Sequence, residues 1–551
     1  MNPRIIITLF IVLNSIYGNS QEKTEQQGFL TGSVELNANV FIKDSSINAF
    51  NIPQYETQFF GGESWVSLQY TKNGLTAGLR YDMFLNSNLR NPTDSYSDRG
   101  LGRWWIKKSF EKLEISVGYL YDQIGSGIIY RAYETRPLFI DNALLGAKIK
   151  YRLTDDWNIS AFGGQQKNAF DIYGGSLQGL SSDYFVSLGE TSPITLSPGA
   201  GFVHKNISND AMDRIVNSLK GYLPVDRFGP IYSSYAFSLY NTLTYKNISW
   251  YAEAALKSND IFYNDFALQT TPSGGLTNGK YVLDRGSVLY TSISYASKKL
   301  GLSFEGKRTE NFNFRIDPNL RLLRGYISYI PPMNRQNTYR LTARYAPFTQ
   351  EVSEQAFQVD VKYKWTKKLN TLINFSYINT LDGDKLYREF FSEVNYKPNS
   401  SLTMNGGLQV VNYNQNVYEQ KPEAPIVKTF VPYFDILKKI NRRNSLRVEG
   451  QYMHTQQDFG SWLNGLIEYG FVPGWLFEIS GMFNIVPKRT LIGASKPEKI
   501  LYPSLGAVYA KGPNRYQLRY VKQVEGVVCS GGICRLEPAF SGVRFSLSSQ
   551  F

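Results

Sequence analysis

The chain has 551 residues, a formal charge of +13, 15% aromatic and 19% charged residues, and only two Cys and two His. A mean hydropathy of −0.30, with no apolar run of about 18 residues beyond the N-terminus, excludes a helical membrane protein. The basic residues are scattered, many of them in short turns, so the charge does not mark a nucleic-acid partner.

Residues 1–20 read as a signal peptide. Arg4 is basic, Ile5–Leu13 is an apolar run too short to span a bilayer, and Gly18 and Ser20 are small residues before a cut at Gln21. A retained signal anchor is the alternative, opposed by the length of the apolar run. No Cys follows the cut, which argues against a lipid anchor. Residues 21–28 form a short leader, and 29–551 carry one repeated pattern. With 39 Tyr, 34 Phe and abundant Gly, Ser and Asn, that pattern suits an all-β transmembrane antiparallel barrel, one face to lipid and one to water.

The pattern is clear in Trp65–Met83. Val66, Leu68 and Tyr70 face one way, and Ser67 and Gln69 the other. Asn73-Gly74 is a hairpin turn. Leu75, Ala77, Leu79, Tyr81 and Met83 then share a face opposite Thr76, Gly78, Arg80 and Asp82. Similar short turns recur up to Lys511–Pro513, and longer connections lie between them. The rhythm predicts about 22 strands (roughly 20 to 24), with short periplasmic turns and long extracellular loops. Thr338–Ala346 and Gln355–Trp365 disturb the tally, as a hairpin above the membrane or an extra pair in the wall.

Tyr119–Gly146 is the most charged connection. It holds Asp122, Arg131, Glu134, Arg136 and Asp141, with turn formers at Gly125, Ser126 and Gly127. Such charges need water or each other, so they are candidates for a constriction inside the lumen; an exposed loop is the other reading. Residues 166–235 read as a long loop insertion. Within it Asn209–Leu223 has helical spacing, with Met212, Ile215, Val216, Leu219 and Leu223 on one face. That helix either packs on its own loop or folds into the barrel mouth.

Arg80, Glu253, Glu305, Arg447, Glu449, Glu478, Arg519 and Arg544 fall on polar strand faces and are expected to line the lumen. They either pair across strands or set selectivity. Cys529 and Cys534, flanking Ser530–Ile533, are expected to form a disulfide in an oxidising compartment. Zinc would need ligands beyond the distant His204 and His454. No nucleophile pairs with either His, so no enzyme, metal or cofactor is expected. Plugged transporters carry a separate domain ahead of the wall; here the wall starts soon after the cut, so any occlusion must come from the loops.

YDQIGSGIIYRAYETRPLFIDNALLG, QNTYRLTARYAPFT and VVCSGGICRLEPAFSGVRFSLSSQF resemble a family of porin-like outer-membrane proteins from Bacteroidota. The resemblance implies an outer-membrane barrel and supplies no substrate or catalytic residue. The final strand, Phe540–Phe551, also resembles the terminal strands of bacterial outer-membrane barrels. That likeness implies recognition of Phe551 by barrel-assembly machinery. The expected function is a porin-like, loop-occluded channel for small polar solutes. The alternative is a non-conducting scaffold in an outer-membrane secretion or assembly complex. Expected partners are outer-membrane lipid, the assembly machinery and other outer-membrane proteins.

Overall fold

Alternation builds the wall. In the strand Leu75–Ser87, Leu79 and Tyr81 are exposed while Arg80 and Asp82 are buried, as a pleat of period two requires. The computed structural model describes residues 28–189, 194–271, 273–321, 323–348, 352–530 and 533–551. The expected signal peptide and most of the leader, residues 1–27, lie outside them. The first strand, Phe29–Phe41, pairs antiparallel with both Phe60–Lys72 and the last strand, Phe540–Gln550. The sheet is therefore closed and has no free edge.

The wall has 24 strands, which corrects the expected 22. The missing pair is Ser176–Tyr184 and Ile194–Asn206, inside the stretch 166–235 read as one insertion. These strands pair with each other and with Trp157–Asn168 and Ser233–Tyr245. Their own alternation is muted because the rings of Phe162 and Tyr240, on the flanking strands, lie across Gly179 and Gly199. Gln355–Trp365 contributes one wall strand, Glu354–Lys364. Thr338–Ala346 is neither a wall strand nor an outer hairpin; it is irregular chain inside the barrel.

Outward side chains form an apolar surface that includes Leu239, Leu256, Leu289, Leu463 and Leu518. Trp157, Trp250, Trp365 and Trp475 are exposed near the short-turn end, where aromatic girdles mark the edge of an apolar belt. Two strands, Ile248–Thr270 and Leu276–Ala296, run to 23 and 21 residues. About ten tilted residues cross a bilayer, so this hairpin projects beyond the wall at the long-connection end. The helix Asn209–Lys220 lies against it. Ser208 caps the helix by accepting from Ala211 N at 3.3 Å, and Met212, Ile215 and Leu219 pack on Ile261 and Tyr281.

Candidate functional site: a lumen closed by two inward connections

The short strand Leu113–Leu120 ends where the chain turns inward, and residues 121–143 cross the lumen as a first strut. Its turn depends on Gly125, whose φ is +55°. A Cβ there would stand 2.9 Å from Glu253 Oε1. The glycine lets Ser126 reach the wall: its N and Oγ both donate to Glu253 Oε2, at 2.9 and 2.6 Å. Tyr251 Oη donates to the same oxygen at 2.5 Å. One inward carboxylate thus holds the tip of the strut.

The other end of the strut is held by charge. Arg80 is only 2% exposed. It pairs with Asp82 at 2.6 Å, with Glu134 at 2.6 Å and with Asp141 at 3.0 Å. Lys167 meets Asp141 at 2.5 Å, and Tyr121 Oη donates to Asp141 Oδ1 at 2.8 Å. Arg136 bridges Glu134 to Glu35 on the first strand. Burial pushes the Asp141 carboxyl up, but Lys167 and Arg80 outweigh it and hold the group below the usual carboxylate range. For Glu134 burial prevails over Arg80, and its carboxyl is raised. Asp122 pairs with Lys148 on the wall at 2.7 Å.

Residues 311–347 form a second strut that sequence reasoning missed. Arg131 N donates to Ile327 O at 2.9 Å and Tyr329 N to Gly127 O at 3.0 Å, joining the two struts. Arg131 also lies over the Tyr329 ring at 3.9 Å. Asn142 Nδ2 donates to Arg131 O and Tyr326 O. The second strut then crosses to the far wall. Asn337 donates to Glu389, Tyr339 to Asp435 and Tyr345 to Asp458. Leu341 N donates to Gln451 Oε1 at 2.7 Å. One signal lay in the sequence: Arg315, Arg321, Arg324, Arg335, Arg340 and Arg344 stand among aromatic residues in this connection.

Two apolar cores fill the long-connection half of the lumen. One joins Ile124, Ile129, Tyr130, Phe314 and Ile327 to inward wall residues. The other joins Leu341 and Tyr345 to Phe41, Tyr387, Tyr413 and Trp462. Tyr290 packs against both. Below them a cavity of about 570 Å³ is lined by Glu305, Asp360, Lys362, Tyr290, Asn334 and Arg335, among others. The helix Asn209–Lys220 sits over the second strut, where Arg214 pairs with Asp317 and Asn319 donates to Ala211 O. It therefore shares features of both expected placements.

The remaining wall charges also face inward. Arg447 pairs with Asp435, Glu449 and Glu468, and Arg519 with Glu478 at 2.6 Å. Glu305 accepts from Tyr290 Oη at 3.3 Å, and Arg544 lies over Phe540. Arg447 and Arg519 thus pair across strands, whereas Glu305 and Arg544 meet aromatic residues. Cys529 faces Cys534 in the register of a small outer hairpin; their side chains lie outside the described residues. Phe551 continues the last strand through two backbone bonds with Gly32. His204 contacts Gln178 at 2.6 Å, and His454 lies 3.5 Å from Ser461; His204 is on the strand Ile194–Asn206 and His454 just follows Asn444–Met453.

No curated protein matches the chain. Among solved structures, the translocation pore of the P pilus usher PapC superposes at 8% identity and a TM-score of 0.40, over 94% of this chain and 99% of that one. OccAB4 of Acinetobacter baumannii superposes at 10% identity and 0.33, over 73% and 99%. The siderophore receptor PirA of the same organism superposes at 8% and 0.38, over 97% and 81%. A family model covers residues 1–551, and the chain belongs to that family, DUF6029, a family of unknown function.

Proposed function

We propose that the chain is an outer-membrane β-barrel acting as a porin-like channel for small polar solutes, occluded at rest by its own connections. The observation that carries this reading is the division of the lumen. Its short-turn half holds a cavity lined by both signs of charge, while its long-connection half is closed by the two struts. An apolar seal this thick excludes hydrated solutes, so passage requires the second strut to move. The short turns then face the periplasm, and Phe551 serves the assembly machinery. Cys529 and Cys534, opposite each other in register, form a disulfide in that oxidising setting. Because the apolar cores seal the mouth so fully, a non-conducting scaffold is the second reading.

Planar-bilayer recording separates the two. The intact protein is expected to be silent or to open rarely. Replacing residues 329–345 with a short Gly-Ser linker is expected to give steady current. A variant that folds, inserts and stays silent overturns the channel reading and favours the scaffold.

A further inference from the structure

The struts carry basic residues that the seal itself does not use. Arg340 and Arg344 stand one helical turn apart in sequence, on irregular chain, beside a cavity of about 160 Å³. Thr338, Gln523 and Gly526 also line it, and no Asp or Glu does. At roughly 30 Å³ per water-sized group, it has room for about five heavy atoms.

Arg344 lies against aromatic rings, its Cζ 4.9 Å from the centroid of Phe459 and 5.0 Å from that of Trp462. Its Nε is buried and has no hydrogen-bond partner among the described residues. Gly526 approaches so closely that a Cβ there would lie 3.4 Å from Arg344 Nη1. Burial opposes the charge of Arg344, while the Tyr345 hydroxyl, Asp458 and Glu419 favour it, but both acids make their close contacts elsewhere. Asp458 accepts from Tyr345 and pairs with Lys421, and Glu419 also pairs with Lys421. For Arg340, whose side chain is exposed within the lumen, the surrounding protein and the like charges of Arg344 and Arg544 push the guanidinium down to about 10. Elsewhere in this lumen buried cations are matched: Arg80, Lys205 and Lys307 each meet a carboxylate. Arg340 is exposed to the lumen and Arg344 is half-buried, so the cost here falls on the Arg344 Nε, a buried donor left unpaired.

We infer that Arg340 and Arg344 form a binding site for one small oxyanion, a phosphate, sulfate or carboxylate group, in the lumen beside the last connection. Two guanidinium forks suit such a group, since each can donate two parallel N–H bonds. The position also matters for the seal. An anion here would tie the second strut to the chain after Gln523.

The test is calorimetric titration of the purified full-length protein in detergent with inorganic phosphate, and separately with acetate, at fixed ionic strength in chloride. Saturable binding of either is expected. Arg340→Gln and Arg344→Gln should each weaken it by about tenfold or more. Arg308→Gln, which removes a cation paired with Glu310 on an exposed part of the wall, should leave it unchanged. Absence of saturable binding by the wild type overturns the site, as does equal weakening in Arg308→Gln. Folding is checked by heat-modifiable migration. If a Gln variant does not fold, Arg340→Lys decides, because it keeps the charge and loses the fork. Binding is read without conduction, so this site can fail while the channel reading stands, and the reverse.

Discussion

At the scale of single residues, the strut is held by groups that cannot be exchanged lightly. Arg80 sits among Asp82, Glu134 and Asp141. Arg80→Ala would leave the buried Asp82 without its close cation, a loss of about 3 kcal/mol in comparable cases, while Glu134 and Asp141 keep Arg136 and Lys167. The expected result is a clear fall in the unfolding midpoint, read by heat-modifiable migration. Asp141 adds a pH dependence whose sign is fixed. Its folded value lies below the ordinary one, so its stabilisation is complete above about pH 4 and is lost as pH falls through the folded value. Wild type should therefore lose stability more steeply than Asp141→Asn below about pH 4. Parallel acid limbs for the two proteins would remove Asp141 from the latch. Gly125→Val tests the other end of the strut: its φ of +55° and the approach of Glu253 both oppose a branched side chain. Protease sensitivity of residues 121–143 should rise while the wall stays folded.

Elements differ in how openly their sequence declares them. Leu75–Ser87 alternates large apolar and charged residues, so its two faces are visible in one strand. Ser176–Tyr184 and Ile194–Asn206 do not, because Gly179 and Gly199 leave space for Phe162 and Tyr240 from the flanking strands. Their inner face is completed by neighbours, a cross-strand property that a single strand does not encode. The same holds for the struts. The charge of Tyr119–Gly146 is plain in the sequence, but its partner is not: Asn142 bonds to Tyr326 across 184 positions. Lys205, Lys257 and Asp260 are a further case, wholly buried together beneath the projecting hairpin and each unremarkable alone. The helix Asn209–Lys220 gives an element-scale prediction. Ile215 is fully buried against Ile261 and Tyr281. Ile215→Asp should free the helix to proteolysis between residues 207 and 232, with no gain in conductance, because the seal lies in the struts. A current from that variant would move the gate to the helix.

For the molecule as a whole, the division of faces is that expected of a wall set in a bilayer. Many inward charges are paired with one another, while the outward surface is apolar over most of the wall. Leu239 is 69% exposed at the middle of Ser233–Tyr245, so it faces lipid if the barrel spans a bilayer and water if it does not. In the first case Leu239→Arg should cost about 2–4 kcal/mol at mid-membrane depth, seen as a lower urea midpoint for the barrel in liposomes, with Leu239→Ala much milder. In water a surface arginine would be close to neutral. The contrast is useful because both variants leave the lumen, the struts and the strand register untouched. A neutral Leu239→Arg in liposomes would break the link between this wall and a bilayer. It would also remove the reason for the lumen to hold charges of both signs in pairs.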